Sequence, residues 1–141
     1  AADTKGNVYT FGRDDRGQLG HGGEDVEDEV VEKRGAVPQR VRSLSSHIVI
    51  EVACGAFHCL ALGSDRTLMS WGWNNSGQLG RPTAFQTDAT PGAVHEARDA
   101  TGPVKSFTAG FEFSAAVLLS GQVICWGNNH QGQLGVGYFT V

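Results

Sequence analysis

The sequence predicts an all-β protein built from repeats, and three observations support this prediction. A ten-residue motif occurs three times along the chain of 141 residues. Glycine accounts for 20 of these residues, without the low complexity of a flexible linker. Short apolar runs flank glycine-containing turns, which is the pattern of β-hairpins. With 40% apolar and 18% charged residues, the composition is that of a folded protein.

The repeated motif is an aromatic residue, a glycine, four mostly polar residues and then Gly-Gln-Leu-Gly, which we call the marker. The three copies of the motif align without gaps at residues 11–20, 71–80 and 126–135. Their spacing is nearly constant, at roughly 55–60 residues, and such a period indicates an architecture of stacked, similar units.

A predicted hairpin leads into each motif. In the second copy, residues 59–71 form two apolar runs joined by a turn that contains Gly63. Residues 114–126 repeat this arrangement in the third copy, and residues 3–11 supply its second half in the first copy. Because the runs are nearly continuously apolar, we expect strands buried on both faces, as in small sheets stacked side by side.

Three glycines in every copy are predicted to be structural turn residues. A glycine after the aromatic residue permits a positive φ or a close backbone approach where the hairpin ends. The two glycines of the marker let the chain bend on either side of a leucine that returns to the core. The nine residues are Gly12, Gly17, Gly20, Gly72, Gly77, Gly80, Gly127, Gly132 and Gly135. The sequence contains neither a P-loop nor a dinucleotide-binding glycine pattern.

The second copy carries the longest version of the motif. Residues 53–62 read Ala-Cys-Gly-Ala-Phe-His-Cys-Leu-Ala-Leu and precede the motif at 71–80. This combination resembles the repeat of the RCC1 (regulator of chromosome condensation) family, and the resemblance covers essentially the whole chain. The third copy departs at Phe113, where the family has His, and the first copy has Phe11 and Asp14 in place of Trp and Asn.

The resemblance implies a β-propeller that is seven-bladed when complete, with four strands in each blade and about one blade per repeat. The chain, residues 1–141, would then be a partial repeat domain, an arc of about three blades. Its copies would span roughly 1–45 (incomplete), 46–103 and 104–141 (incomplete). Such an arc leaves sheet edges uncovered, so we expect the chain to be part of a longer protein.

The polar loop between each aromatic-Gly pair and its marker is the first candidate for partner binding. The three loops occupy the same place in every unit and should therefore project from one face of the arc. Their candidate residues are Arg13, Asp14, Asp15, Trp73, Asn74, Asn75, Asn128, Asn129 and His130. Trp73 is either an exposed interface anchor or a residue packed against the neighbouring blade.

The linkers differ from copy to copy and are the second candidate for specificity. Residues 24–32 contain six carboxylates, and this run is either a solvated loop or a docking site for a basic partner. Residues 37–41, Val-Pro-Gln-Arg-Val, resemble the start of a blade's outer strand in the family, an edge that tolerates proline. Residues 81–103 are predicted to be an irregular loop with a short helix at 93–98. The acidic candidates are Glu24, Asp25, Glu27, Asp28 and Glu29.

The sequence gives no case for an enzyme active site, a metal centre or a bound cofactor. Cys54, His58 and Cys59 are close in sequence, but a zinc site needs a second pair of ligands at comparable spacing. The resemblance implies that His58 is a hydrogen-bonded core residue, and Trp71 and Trp126 are assigned to the core with it. Three cysteines are an odd number for a disulfide framework, which favours reduced thiols and an intracellular protein of unknown compartment.

Charge and hydropathy narrow the classes of partner. A net charge of −4 argues against nucleic-acid binding through this fragment, and no apolar run approaches a membrane span. The remaining class of partner is protein, so our first hypothesis is a protein-interaction scaffold. The alternative implied by the resemblance is guanine-nucleotide exchange on a small GTPase. A weaker alternative, chromatin binding, is disfavoured by the acidic balance.

Overall fold

The computed structural model describes residues 1–22, 35–95 and 102–138. Within these residues the chain forms β-strands, one short 3-10 helix and a helical residue at His95, and the predominance of strands confirms the prediction of an all-β fold. The strands are β1 (Tyr9–Thr10), β2 (Gln39–Arg40), β3 (Val49–Cys54), β4 (His58–Gly63), β5 (Leu68–Trp73), β6 (Thr87–Ala93), β7 (Val104–Ala109), β8 (Phe113–Leu118) and β9 (Val123–Gly127). The 3-10 helix spans Arg42–Leu44.

The strands form three antiparallel sheets, each arranged in sequence order. Blade 1 is β1-β2, blade 2 is β3-β4-β5-β6 and blade 3 is β7-β8-β9. In blade 2 the two apolar runs of the predicted hairpin are β4 and β5, paired from His58 opposite Gly72 to Leu62 opposite Leu68. β8 and β9 repeat the same register in blade 3, from Phe113 opposite Gly127 to Val117 opposite Val123.

The hydrophobic core lies between blades. Alternate residues of a strand point to opposite faces of its sheet, so β4 supplies both sides of blade 2. Leu60 and Leu62 pack toward blade 3 with Val104, Leu118 and other residues. Cys59 and Ala61 belong to the cluster toward blade 1. This division explains why all six residues of β4 are buried, while the residues of β8 alternate between half-buried and buried.

The second linker differs from its prediction. Residues 81–103 are not all irregular, because Thr87–Ala93 forms β6. Of the helix predicted at 93–98, Ala93 belongs to this strand and His95 is helical, whereas residues 96–98 lie outside the described residues. β6 is the outer strand of blade 2, and its pairing with β5 shifts register between Ser70 and Gly72. Pro91 lies in this bulged stretch of an edge strand, where a missing N–H does not interrupt a central ladder.

Two other linker predictions have different outcomes. β2 at Gln39–Arg40 is the outer strand of blade 1 and pairs with β1, in the segment predicted to begin an outer strand. The acidic run 24–32, with its candidates Glu24, Asp25, Glu27, Asp28 and Glu29, lies outside the described residues. Its docking role is still a prediction.

The strand directions place the loops on two faces. β3 and β5 run in the same direction, so the β3–β4 turn at 55–57 and the motif loop after β5 lie at the same end of blade 2. The β7–β8 turn at 110–112 meets the 55–57 turn, since the Ala56 N–H donates to the Phe111 carbonyl at 3.1 Å. We call this end the loop face. The turns at 64–67 and 119–122 lie at the other end, the opposite face.

Candidate partner-binding face

The three motif loops are folded by the same pair of side-chain hydrogen bonds. The carbonyl or carboxylate oxygen of Asp14, Asn74 or Asn129 accepts the N–H of the marker leucine of the same copy, at 2.9 to 3.1 Å. The marker glutamine folds back in the same way: its Oε1 accepts the N–H of the residue two positions before it, at 2.8 or 2.9 Å. Such local bonds satisfy backbone groups that have no partner in a strand ladder.

These bonds change the interpretation of three predicted partner contacts. Asn129 is only 1% exposed, so the prediction that it contacts a partner is wrong. Asn74 also donates through Nδ2 to the Arg81 carbonyl at 3.2 Å and to Thr83 Oγ1 at 2.9 Å. Asp14 and Asn74 therefore hold the loop in shape, and a partner would meet their neighbours.

The marker glycines and the glycine of the aromatic-Gly pair all have positive φ, between +60° and +107°. The requirement is clearest at Gly72, which has a φ of +107°. A Cβ there would lie 2.5 Å from the Phe57 carbonyl oxygen, so a side chain would separate β5 from the β3–β4 turn.

The marker also joins neighbouring blades. Trp71 of blade 2 donates through Nε1 to the Gln18 carbonyl of blade 1 at 2.9 Å. Trp126 of blade 3 makes the same bond to the Gln78 carbonyl of blade 2 at 3.0 Å. Each indole therefore binds the backbone of the preceding copy's marker. This joint was not predicted from the sequence, because it links residues 48 or 53 positions apart.

His58 lies at the second of these joints. The Ser114 hydroxyl donates to the Gln78 carbonyl at 3.0 Å and accepts from His58 Nε2 at 2.8 Å. This chain of bonds assigns the proton to Nε2. Burial lowers the pKa of His58 to about 4, so the ring is neutral at pH 7. The structure thus places His58 in an interblade hydrogen-bond chain, with Trp71 and Trp126 buried beside it.

A strip of aromatic rings crosses the loop face, flanked by two arginines. We call it the aromatic strip. The rings of Phe57 and Trp73 meet edge to face with centroids 5.3 Å apart, and Phe111 meets Phe57 at 6.2 Å. The Arg13 guanidinium lies 5.4 Å from the centre of the Phe57 ring, and that of Arg16 lies 4.6 Å from the Trp73 ring. Phe111 is 70% exposed, whereas Phe57 and Trp73 are half-buried.

Backbone hydrogen bonds fix the strip in place. The Trp73 N–H donates to the Phe57 carbonyl at 2.8 Å, and in blade 3 Asn128 makes the same bond to Glu112. Asn128 Nδ2 also donates to Glu112 Oε2 at 2.8 Å. The aromatic pair of Phe57 and Trp73 in blade 2 is thus replaced in blade 3 by the polar pair of Glu112 and Asn128. This polar pair borders one end of the strip.

The other predicted loop residues lie around the strip. Asp15, Asn75 and His130 are exposed at the loop tips. Asp15 pairs with Arg13 at 2.5 Å, and this hydrogen bond lowers the pKa of the Asp15 carboxyl. Trp73 packs within blade 2 and under Arg16 of blade 1, which is the second alternative raised by the sequence, while part of its surface stays accessible. Its role as an interface anchor is still a prediction.

Phe57 and Phe111 were missed in the sequence analysis, whereas Arg16 lies in a candidate loop but was not named among its contact residues. The available signal was the composition of two tight turns, Gly-Ala-Phe-His at 55–58 and Gly-Phe-Glu-Phe at 110–113. Such turns normally favour Gly, Asn, Asp and Ser, so a phenylalanine there indicates a side chain retained for contact.

Among the described residues, no group of three or more His, Cys, Asp or Glu side chains is arranged to hold a metal ion. The helices of the described part of the chain include none that is long and apolar enough to cross a membrane.

Comparison with known proteins identifies the family. The sequence profile of the regulator of chromosome condensation (RCC1) repeat matches residues 5–62 and 67–117. A second profile of the same repeat matches residues 49–78 and 104–133. The chain belongs to the RCC1 repeat family. Its three sheets are blades of an RCC1-type β-propeller, in a partial arc.

Several known proteins are similar to the chain in sequence. The human probable E3 ubiquitin-protein ligase HERC3 is 40% identical over 101 residues, which is 72% of the chain and 9% of that protein. Human protein RCC2 is 33% identical over 94% of the chain and 23% of its own length. The ultraviolet-B receptor UVR8 of Arabidopsis thaliana is 34% identical over 94% of the chain and 28% of its length. The chain therefore spans less than a third of each of these relatives.

Solved structures share the fold. Human WBSCR16 matches with a TM-score of 0.72 and 28% identity, over 90% of the chain and 30% of that protein. Prp20p of Saccharomyces cerevisiae, whose structure was described with its binding to Gsp1p and histones, also matches with a TM-score of 0.72. At 24% identity over 90% of the chain and 30% of Prp20p, this likeness concerns the fold alone.

Proposed function

We propose that the chain is part of a protein-interaction scaffold that binds its partner through the loop face, centred on the aromatic strip. The observation that carries this proposal is the exposure of Phe111, at 70%, beside the half-buried rings of Phe57 and Trp73. Arg13 and Arg16 extend the same surface.

The residue types of the strip are those that dominate binding energy in protein interfaces. Tryptophan, tyrosine and arginine are enriched among interface hot spots, and aromatic rings bury a large area with few rotatable bonds. The strip joins blade 1, blade 2 and blade 3, so one partner segment could contact all of them.

The strip is also preorganised. Phe57 and Phe111 lie in tight turns between paired strands, and Trp73 ends β5. A surface held in this way loses little conformational entropy when a partner binds. The polar groups around it, on Asp15, Asn75, Glu112, Asn128 and His130, supply the rim that interfaces commonly have.

Affinity capture with matched variants tests this proposal. The chain is compared with a Trp73→Ala/Phe111→Ala double variant and with Leu119→Ala, which truncates an apolar side chain 56% exposed on the opposite face. We expect captured proteins to be lost, by at least about tenfold, from the double variant and retained by Leu119→Ala. Equal capture by all three chains would contradict the proposal, provided that circular dichroism shows the variants folded.

The second candidate function is guanine-nucleotide exchange on a small GTPase. It is supported by the likeness to the fold of Prp20p, whose structure was described with binding to Gsp1p. A nucleotide-release assay with a panel of small GTPases separates the two functions. Accelerated release of nucleotide from a GTPase would show that the chain acts as an exchange factor. Unchanged nucleotide release, with partner proteins still captured, would favour the scaffold. Histone binding, the weaker alternative, can be measured on the same captured material.

We also propose an intracellular location. The support is that Cys54, Cys59 and Cys125 are all free thiols. Free thiols are the normal state of cysteine in reducing compartments. Fractionation of cells that express the full-length protein would test this, and its recovery from the culture medium would contradict it.

A further inference from the structure

Two thiols face each other across the β3–β4 hairpin of blade 2. Cys54, the last residue of β3, is paired with Cys59 of β4, and their sulfur atoms are 2.9 Å apart. Cys54 is exposed, whereas Cys59 is only 6% exposed. Cys54 also borders a cleft of about 330 Å³ between blade 1 and blade 2.

The backbone register suits a bond between these sulfurs. The Gly55 N–H donates to the His58 carbonyl at 2.8 Å, so the next pair along the ladder is a non-hydrogen-bonded pair. Side chains approach most closely in such pairs, where the Cα atoms are roughly 4.5 Å apart. This separation lies at the short end of the range that disulfides span.

The two thiols differ in chemical character. The hydrogen bond from Cys59 lowers the pKa of Cys54 to about 7, and the same contact together with burial raises the pKa of Cys59. Cys54 is therefore the nucleophilic thiolate, and Cys59 is the adjacent resolving thiol. An exposed thiolate next to a resolving thiol is the arrangement of reversible cysteine oxidation.

We propose that Cys54 and Cys59 are a peroxide-sensitive modification site that closes into a reversible cross-strand disulfide. The Cys54 thiolate attacks one oxygen of hydrogen peroxide, the O–O bond breaks, and the sulfenic acid and hydroxide form. The Cys59 sulfur then attacks the Cys54 sulfur, giving the disulfide and water, with its proton transferred to the departing oxygen. The two cysteines lose two electrons in total, and peroxide is reduced to water and hydroxide.

The position of the pair links oxidation to the loop face. Cys54 leads directly into the 55–57 turn, which carries Phe57 of the aromatic strip. Cys59 Sγ also lies 3.5 Å from the Gln18 carbonyl oxygen, the acceptor that Trp71 uses. Disulfide formation fixes the base of the turn next to the joint between blade 1 and blade 2.

The site does not depend on which partner the loop face binds. It also has natural control substitutions, because blade 3 carries Ala109 and Ser114 at the positions equivalent to Cys54 and Cys59. Cys54→Ala and Cys59→Ser therefore install residues that the same fold already accommodates. Cys125→Ser removes the remaining thiol, which lies on β9 of blade 3.

Mass spectrometry of the full chain tests the proposal. The chain is treated with hydrogen peroxide, alkylated without reduction and digested. We expect a peptide in which Cys54 and Cys59 are joined within one chain, with a mass loss of about 2 Da that dithiothreitol reverses. Alkylation should fall from three cysteines to Cys125 alone. Cys125→Ser should leave the disulfide unchanged, whereas Cys54→Ala and Cys59→Ser should abolish it.

Two results obtained with the unsubstituted chain would overturn the proposal. Neither result depends on whether the variants fold. In one, Cys54 is oxidised to sulfinic or sulfonic acid while Cys59 stays available for alkylation. In the other, peroxide produces only disulfides between chains.

Discussion

At Gly80 the chain passes directly beneath the indole of Trp126. The backbone there has a φ of +60°, and an added Cβ would lie 2.6 Å from Trp126 Nε1. Gly20 has the same relation to Trp71, at 2.8 Å. The last glycine of the marker is thus required twice, once for its left-handed backbone and once for the close approach of the next blade.

Alanine substitutions can separate these two requirements. Gly135 of the third copy has a similar φ of +67°, but a Cβ there meets no described atom within 4 Å. We expect Gly135→Ala to cost roughly 1–2 kcal/mol of unfolding free energy from the left-handed backbone alone. Gly80→Ala should cost about 1–3 kcal/mol more, because Trp126 must move. Urea unfolding measures both, and equal losses would contradict the role of Gly80 at the joint.

His58 gives a second prediction for a single residue. Its pKa is about 4 in the folded chain against an ordinary value of 6.5, because burial disfavours the charged ring. Below pH 6.5 the unfolded chain binds a proton that the folded chain does not, so stability should fall as the pH decreases toward 4. The loss attributable to His58 should reach up to about 3 kcal/mol.

The control for this titration is His58→Phe, which installs the residue that blade 3 carries at Phe113. Because this variant has no ring to titrate at the joint, its stability should decrease less steeply between pH 6.5 and pH 4. Identical pH profiles for the two chains, measured by urea unfolding at a series of pH values, would show that His58 is not buried in neutral form.

At the scale of elements, the motif loop is a turn that is closed by its own side chains. Asn74 accepts the Leu79 N–H and donates to two further groups, whereas the adjacent Asn75 is exposed. Asn74→Ala should therefore lower the unfolding free energy by about 2 kcal/mol, since it leaves partly buried backbone groups unpaired. Asn75→Ala should change it by less than about 0.5 kcal/mol.

The stabilities of the Asn74→Ala and Asn75→Ala variants are measured by thermal or urea unfolding under one set of conditions. The same two variants distinguish a structural loop from a recognition loop. If Asn75→Ala were the more destabilising of the two, or if Asn74→Ala were neutral, the assignment of Asn74 to the loop's own fold would be wrong.

The elements differ in how far the sequence predicts them. β4 and β5 are evident from apolar runs on either side of a glycine turn, because burial on both faces requires such runs. β6 is not evident, since Thr87–Ala93 contains Pro91 and Gly92 and lacks large apolar residues. Its strand conformation comes from pairing with β5 and from contacts with blade 1, where the Gly22 N–H donates to the Ala89 carbonyl at 3.0 Å. Tertiary pairing here overrides local preference.

At the scale of the whole molecule, the repeated and the variable parts have different roles. The marker, constant in all three copies, joins one blade to the next through the glutamine carbonyl and the following indole. The residues beside it vary: the place of Trp73 is held by Arg13 in blade 1 and by Asn128 in blade 3. The marker therefore assembles the arc, and we propose that its neighbours carry recognition.

The sequence predicts this division only in part. The motif alignment identifies the repeating unit and places equivalent loops on one face. It does not reveal that Phe57 meets both Trp73 and Phe111, because those contacts depend on how adjacent blades are rotated. It also does not separate Asn129, buried in its own loop, from exposed His130 next to it.

Hydroxyl-radical footprinting of the chain, alone and with a captured partner, tests most directly whether the loop face is the binding surface. The account predicts that the partner lowers oxidation of Trp73 and Phe111 while Leu119 on the opposite face reacts as before. Protection of Leu119 and the 64–67 turn, with Trp73 and Phe111 unchanged, would contradict it.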